Sequence, residues 1–355
     1  MDSIIHKNMK STKVLVVATS RKTRGGITSV VKAHEQGAQW REFHCHWVQT
    51  HRDGTLIRKL GYLTYAILDY AIRLPFYNIV HIHFSNQASL KRKLFFARIA
   101  KTLKKKILVH FHAFDPATTL QGSYSNKYKE LLDMSDEIIV LSNWWKVQII
   151  NIFPDLENKI QTLYNPCEKI DSGPEFEKKK IILYAGTVNS RKGYSDLIKA
   201  FAIISAKFQD WKLSIAGNGE IKQGIQLSED LGISKQVEFL GWISGEKKEQ
   251  IFRESSIFCL PSYAEGFPMA VLDAWAYGLP VITTPVGGIP DIADDGNNML
   301  LFNPGDINTL AKQLERLILN NELRTHLSQE SKKLSETTFN IDIINDKLKE
   351  IYSSL

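Results

Sequence analysis

The chain has 355 residues, 43% of them hydrophobic and 23% charged, with a formal net charge of +7. It is too long for one ordinary core and suits two domains of roughly 170 residues in a soluble, globular protein. No apolar run approaches the length of about 20 residues that a membrane-spanning helix needs, and the three cysteines, Cys45, Cys167 and Cys259, are far apart and lack metal-ligand spacing.

A reduced, cytoplasmic protein is therefore expected. Residues 1–13 are polar and the apolar run after them is only a strand's length, so no signal peptide is predicted. From there, short apolar runs alternate with helical periodicity to the end of the chain, which predicts an α/β protein with parallel sheets covered by helices. In the first half, strands are expected at 14–19, 79–84, 107–112, 137–141 and 160–164. The helices expected between them lie at 27–37, 62–74, 89–102, 126–134 and 144–152. Residues 165–180 are polar, carry two prolines and a glycine, and read as an interdomain linker.

The alternation then restarts. Strands are expected at 181–184, 212–216, 237–240, 257–260, 281–283 and 299–302. Helices are expected at 194–208, 246–254, 269–277 and 307–319, and a helical tail covers 322–353 with a break at Phe339 and Ile341. Two such halves leave a cleft, and open parallel sheets bind ligands beyond the C-terminal ends of their strands. A ligand between the halves is the expectation.

Several segments at those strand ends carry candidate chemistry. Gly25 and Gly26 follow the first strand and open a helix, where backbone can approach an anion closely. The same pair is also common as plain punctuation, and it is not a G-x-G-x-x-G fingerprint. Lys91, Arg92, Lys93, Arg98, Lys101, Lys104, Lys105 and Lys106 cluster shortly after an aromatic and aliphatic stretch at 60–77. That combination suits an anionic membrane surface, or alternatively a solvated face beside a core helix. No nucleic-acid motif accompanies it, so no nucleic-acid partner is expected.

His81 and His83 alternate on one strand, and His110 and His112 on the next. Paired histidines suggest a metal, yet period-two spacing alone puts each pair on one sheet face, and no nearby acid completes a ligand set. No metal site is therefore assigned. His112 ends its strand, where it could meet a substrate.

Arg191 and Lys192 lie in a glycine-bounded loop after the first strand of the second half. Two cations there suit the negative charge that grows on a departing diphosphate; the alternative is a solvated basic turn. The segment Glu265-Gly266-Phe267-Pro268 leads into a helix that contains Asp273. Pro268 suits the first helical turn, where its missing N–H has no intrahelical partner. Glu265 precedes the helix, Asp273 lies inside it, and the N–H groups of Gly266, Phe267 and Met269 favour a phosphate or sugar oxygen; the alternative is an amphipathic helix with ordinary first-turn acids.

Taken in order, Gly25-Gly26-Ile27, His112, Gly186 with Arg191-Lys192-Gly193, Gly217-Asn218-Gly219 and Glu265-Gly-Phe-Pro with Asp273 resemble the family 4 retaining glycosyltransferases of the GT-B fold. The likeness spans nearly the whole chain and is strongest over 181–303. It implies two Rossmann-like domains with parallel sheets facing across a cleft: an acceptor-side domain at 1–170, a nucleotide-sugar domain at 171–335, and a helix at 336–355 returning to the first. Glu265 resembles the first acid of the family's E-x7-E motif, which holds donor-sugar hydroxyls. Asp273 stands at the second acid, which binds ribose hydroxyls, and Lys192 at the diphosphate-binding lysine. Gly26 resembles the glycine near the donor phosphates, and His112 the acceptor-side residue near the anomeric centre.

The resemblance implies a nucleotide-diphosphate sugar as donor substrate, a glycan or lipid-linked sugar as acceptor, no cofactor and no metal. There are two departures. Asp273 is one methylene shorter than the family's glutamate, and Thr187 stands where many members carry arginine, a charge that Arg191 could replace. Both departures also suit a non-catalytic sugar-nucleotide-binding relative. A GT-B nucleotide-sugar epimerase would share the fold without this acid pair.

Overall fold

The structure, a computed structural model, describes residues 12–170 and 177–355. Residues 1–11, part of the polar N-terminal stretch, and 171–176, inside the expected linker, lie outside the described residues. The chain divides into two compact units, one formed by 1–166 with 341–355 and the other by 167–340.

The N-terminal unit begins with β1 (Val14–Ala18), α1 (Gly26–Gln36), α2 (Ala38–Glu42), β2 (His46–Gln49) and α3 (Leu56–Arg73). It continues with β3 (Ile79–Phe84), α4 (Gln87–Thr102), β4 (Lys106–Phe111), α5 (Pro116–Thr119), α6 (Ser125–Met134), β5 (Glu137–Val140), α7 (Asn143–Ile152) and β6 (Ile160–Thr162). Its sheet runs β2-β1-β3-β4-β5-β6 with every pairing parallel. Helices cover both faces of a parallel sheet, so the strands read as unbroken apolar runs. β1 is buried along its whole length, and each fully buried Val or Leu there contributes about 1.5–3 kcal/mol.

The C-terminal unit contains β7 (Ile181–Ala185), α8 (Tyr194–Ser205), β8 (Lys212–Ala216), α9 (Ile221–Asp230), β9 (Val237–Gly241) and α10 (Glu246–Glu254). After these come β10 (Ile257–Leu260), α11 (Met269–Ala276), β11 (Val281–Thr283), β12 (Leu300–Leu301), α12 (Ile307–Leu319) and α13 (Asn321–Glu336). Its sheet order is β12-β11-β10-β7-β8-β9, again parallel. The last helix, α14 (Ile341–Ser354), belongs to the N-terminal unit, where Ile344, Leu348 and Tyr352 pack under β1, β3 and β4.

Four elements were not anticipated, among them α5, a four-residue helix whose N-cap is Asp115. β2 has four residues and two of them, His46 and Gln49, are half-buried, so it lacks an apolar run. α2 is a short helix of five residues. α9 carries Gly224 within a largely polar sequence, which weakens its periodic signal.

α3 begins earlier than expected because Thr55 caps it, its side chain accepting the Arg58 N–H. The basic cluster is less solvated than a charged face would be. Lys93 is fully buried, with Nζ donating to Thr50 Oγ1 at 2.7 Å, and Arg98 and Lys106 pair with Glu130 and Asp136.

Candidate active site

β7 and β10 are hydrogen-bonded neighbours, with Ile257 opposite Ile182 and Phe258 opposite Leu183. Being parallel, they deliver their following loops to the same edge of the sheet. The loop after β7 ends in a short 3-10 turn, Ser190–Lys192, where the Asn189 side chain accepts the Lys192 N–H at 3.0 Å. The loop after β10 runs through Pro261 to Pro268. The Tyr263 N–H joins the two by donating to the Arg191 carbonyl at 2.8 Å.

This join sets the side chains. The Lys192 ammonium ion-pairs with Glu265, and the Ser262 hydroxyl donates to the same carboxylate oxygen at 2.6 Å. Arg191 Nη1 lies 3.6 Å from the other Glu265 oxygen and donates to the Ala264 carbonyl at 2.5 Å. The Glu265 side chain is only 7% exposed, against 13% for Lys192 and 31% for Arg191. A carboxylate so buried persists only with charged and hydrogen-bonding partners around it. Gly287 closes the other side: a Cβ there, at φ +60°, would sit 2.1 Å from the Glu265 carbonyl oxygen.

Pro268 sits at the N-cap of α11 with extended backbone, one position ahead of the expected first turn. Its ring thus ends the loop, and the first helical residue is Met269. Gly266 gives its carbonyl to the Gly288 N–H at 2.8 Å. The Phe267 ring is core, 4% exposed and packed against Trp275 and Phe339, so only its backbone could serve a ligand.

Asp273 belongs to a separate cluster. Its Oδ1 accepts from Lys248 Nζ on α10 at 3.0 Å, and Lys248 also pairs with Glu168 at 2.8 Å. Burial raises the Asp273 carboxyl, with Lys248 opposing that shift. Burial disfavours the Lys248 ammonium, but Asp273 and Glu168 outweigh it and the net shift is upward. Thr187, standing in the place of an arginine, gives its carbonyl to the Tyr184 hydroxyl at 2.8 Å.

In the N-terminal unit, Gly25 caps α1 at φ +147°, with open space where a Cβ would be, and Gly26 is the first helical residue. No acid occupies the first turn of α1, so its N-terminus keeps its preference for an anion. His112 follows β4 and is half-buried, with Nε2 2.9 Å from His83 Nδ1. Desolvation, and then the charge of His34, lower its pKa to about 3, so it is a neutral imidazole at physiological pH.

Lys248 and Glu168 escaped the sequence reading, whereas Pro261-Ser262 was part of the family likeness but carried no expected contact with Glu265. Ser262-Tyr-Ala-Glu265 is an S-x-x-E spacing of the kind that lets a serine and a glutamate meet, and it was a legible signal. Lys248 sits in the charged run of α10, where nothing local sets it apart.

Residues 168–334 match the family model described as Glycosyl transferases group 1. An uncharacterized glycosyltransferase of Methanocaldococcus jannaschii is 30% identical over 244 residues, 67% of each chain. Another, of Haemophilus influenzae, is 33% identical over 174 residues, 48% of each, so the chain spans about half the length of that relative. The capsular polysaccharide biosynthesis glycosyltransferase CapM of Staphylococcus aureus is 27% identical over 236 residues, 61% of each chain. Among solved structures, Anabaena HepE in complex with UDP-glucose superposes with a TM-score of 0.74 at 16% identity, covering 97% of this chain and 100% of that one.

Proposed function

This chain belongs to the group 1 glycosyl transferases and has the GT-B fold, and on that premise we propose that it moves a sugar from a nucleotide-diphosphate donor to a lipid-linked glycan acceptor, retaining anomeric configuration, in surface-polysaccharide synthesis. The observation that carries this reading is the convergence of Lys192 and Arg191 on Glu265, just ahead of the α11 N-terminus. Capsular synthesis by CapM and bound UDP-glucose in HepE support the donor and the pathway class.

In the reaction, the bond between the anomeric carbon and the diphosphate oxygen breaks, and its electron pair stays on phosphate. The acceptor hydroxyl bonds to the same face of the sugar and passes its proton to that leaving oxygen. Lys192 and Arg191 stabilise the growing charge, together with the N–H groups before α11. No metal is needed at the diphosphate on this account, because the cations are already in place. Glu265, preorganised by Ser262 and Lys192, orients the sugar hydroxyls. Asp273 takes the ribose, held in position by Lys248, and Gly26 and the neutral His112 take the donor-phosphate and acceptor-side roles.

The membrane face is assigned to α3. Its outward stripe of Ile57, Leu60, Tyr65, Leu68 and Ile72 is 54–84% exposed, with Arg58 beside it and Lys105 at the Pro75 carbonyl beyond the end of the helix. Among the described residues no helix is long and apolar enough to cross a membrane, so a lipid-linked acceptor would be met from the surface. Sedimentation with anionic vesicles at low salt, lost in an Ile57→Ser, Ile72→Ser double variant, is the expected result; no sedimentation of the wild type would favour a soluble acceptor.

A second reading, donor binding without transfer, is favoured by the occupation of Asp273 by Lys248. Screening nucleotide sugars for hydrolysis and for thermal stabilisation separates the two. Stabilisation with neither hydrolysis nor transfer from any stabilising donor would sink the enzymatic reading.

A further inference from the structure

Five imidazoles crowd one face of the N-terminal sheet. His81 and His83 come from β3, His110 from β4, His112 from the residue after it, and His34 from α1, which covers that face together with α14. The ring centroids are 4.3 Å apart for His81 and His83, 4.7 Å for His83 and His110, and 6.1 Å for His34 and His110. His34, His81, His83 and His110 are each no more than 2% exposed. Their polar atoms are incompletely satisfied: His34 Nε2, His81 Nε2 and both ring nitrogens of His110 are buried without a hydrogen-bond partner.

The partners that do exist orient these nitrogens. Asn345 Oδ1 accepts from Gln39 Nε2 at 2.8 Å, which marks it as the amide oxygen, and lies 2.8 Å from His34 Nδ1. His34 therefore carries its proton on Nδ1 and points a bare lone pair from Nε2. His81 meets the Tyr352 hydroxyl through Nδ1 at 2.7 Å, which again leaves Nε2 as the inward atom. A hydrogen bond from the far ring nitrogen to an oxygen of the surrounding shell is the usual support for a metal-bound histidine. His81, His83 and His110 each offer a ring nitrogen, and these atoms all lie within 4.8 Å of one another.

We propose that His81, His83 and His110 form a buried three-imidazole site for a divalent transition metal of the zinc class, with the His34 ring beside it, 6.1 Å from that of His110. An all-imidazole set suits zinc, copper or nickel and disfavours magnesium and calcium, which seek oxygen ligands. Zn–N bonds of about 2.0–2.1 Å in a tetrahedron place the nitrogens about 3.3 Å apart, so the separations among the His81, His83 and His110 nitrogens shorten by at most about 1.5 Å on binding. The ion would tie β3 to β4, and through the His81 contact with Tyr352 it would reach α14. His83 would link it to His112. This site is separate from the Lys192 and Glu265 cluster and does not depend on the transfer reaction.

The test uses the tag-free full chain, stripped with a chelator and reloaded with Zn²⁺ or Co²⁺. The expected result is about one metal ion per chain, a rise in Tm with Zn²⁺ that Mg²⁺ does not give, and the visible absorption of tetrahedral Co²⁺. His81→Phe and His110→Phe should each abolish all three readouts, whereas His326→Gln, at an exposed site in the other unit, should leave them intact. Should the phenylalanine variants fail to fold, the wild-type measurements decide alone. A wild type without stoichiometric metal, without a Zn²⁺-dependent Tm and without Co²⁺ bands would overturn the site and leave ordered water as the partner of these nitrogens.

Discussion

The Lys192 ammonium rests on the Glu265 carboxylate because the loops after β7 and β10 leave the same sheet edge side by side. Neither residue is within reach of the other along the chain; the pairing comes from the order of strands in the sheet. Ser262 completes the arrangement, so Glu265 is both neutralised and oriented before any ligand arrives.

Breaking that pair should separate stability from chemistry. Removing one partner of a buried ion pair costs about 3–5 kcal/mol, and removing a preorganised charge at a developing anion costs about 10²–10³ in rate. Lys192→Met and Glu265→Gln are each expected to lower Tm and transfer activity. The double variant should recover much of the Tm and none of the activity. Undiminished turnover in either single variant would remove these residues from the mechanism.

Arg191 and Asp273 are expected to act mainly on donor binding. Arg191 is the more open cation and already holds the Ala264 carbonyl. Arg191→Ala should raise the donor KM about tenfold, equivalent to about 1.4 kcal/mol, with a smaller effect on kcat than Lys192→Met. Asp273→Asn should likewise raise KM and spare kcat, as expected for uniform binding. A fall in kcat at constant KM for Asp273→Asn would contradict a ribose role.

Gly287→Ala tests how tightly the Glu265 turn is framed. The new methyl would meet the Glu265 carbonyl at 2.1 Å and requires φ near +60°, a conformation that alone costs a non-glycine residue about 1–2 kcal/mol. Lower Tm and loss of donor-dependent stabilisation are expected together. Normal donor binding in a folded Gly287→Ala protein would show that the turn tolerates displacement.

Lys93 gives a pH signature. Burial, and then the charge of Arg92, hold its pKa well below the ordinary lysine value. An unfolded lysine keeps its proton up to about pH 10.4, whereas the buried one releases it earlier. Between those values the unfolded chain binds more protons, so stability rises with pH. Lys93→Met should flatten that rise and raise Tm at neutral pH, because no lysine then has to be desolvated on folding. Thr50 would remain bonded to the Ala18 carbonyl. A Tm–pH curve with unchanged slope in the variant would count against a buried ammonium there.

Much of the architecture was legible locally. Strands such as 79–84 and 257–260 are unbroken apolar runs because both sheet faces are covered, and helices such as 246–254 and 307–319 carry their own period and ends. β2 and α9 were lost because one has no apolar run and the other is polar with an internal glycine. Among the candidate site residues, Lys192 and Glu265 were placed by their positions after strands. The Phe267 ring shows the opposite: its place beside the motif gives no hint that it fills the core against Phe339.

By itself, the sequence determined the alternation of strands and helices and the loops where polar groups collect, since backbone periodicity and turn chemistry act over a few residues. Only the tertiary structure decided which cation meets which acid: Lys192 takes Glu265, and Lys248 takes Asp273. It also decided that five histidines from three elements share one sheet face, four of them buried on it. Those outcomes depend on strand order and helix placement across long chain separations, which set distances that no local spacing encodes.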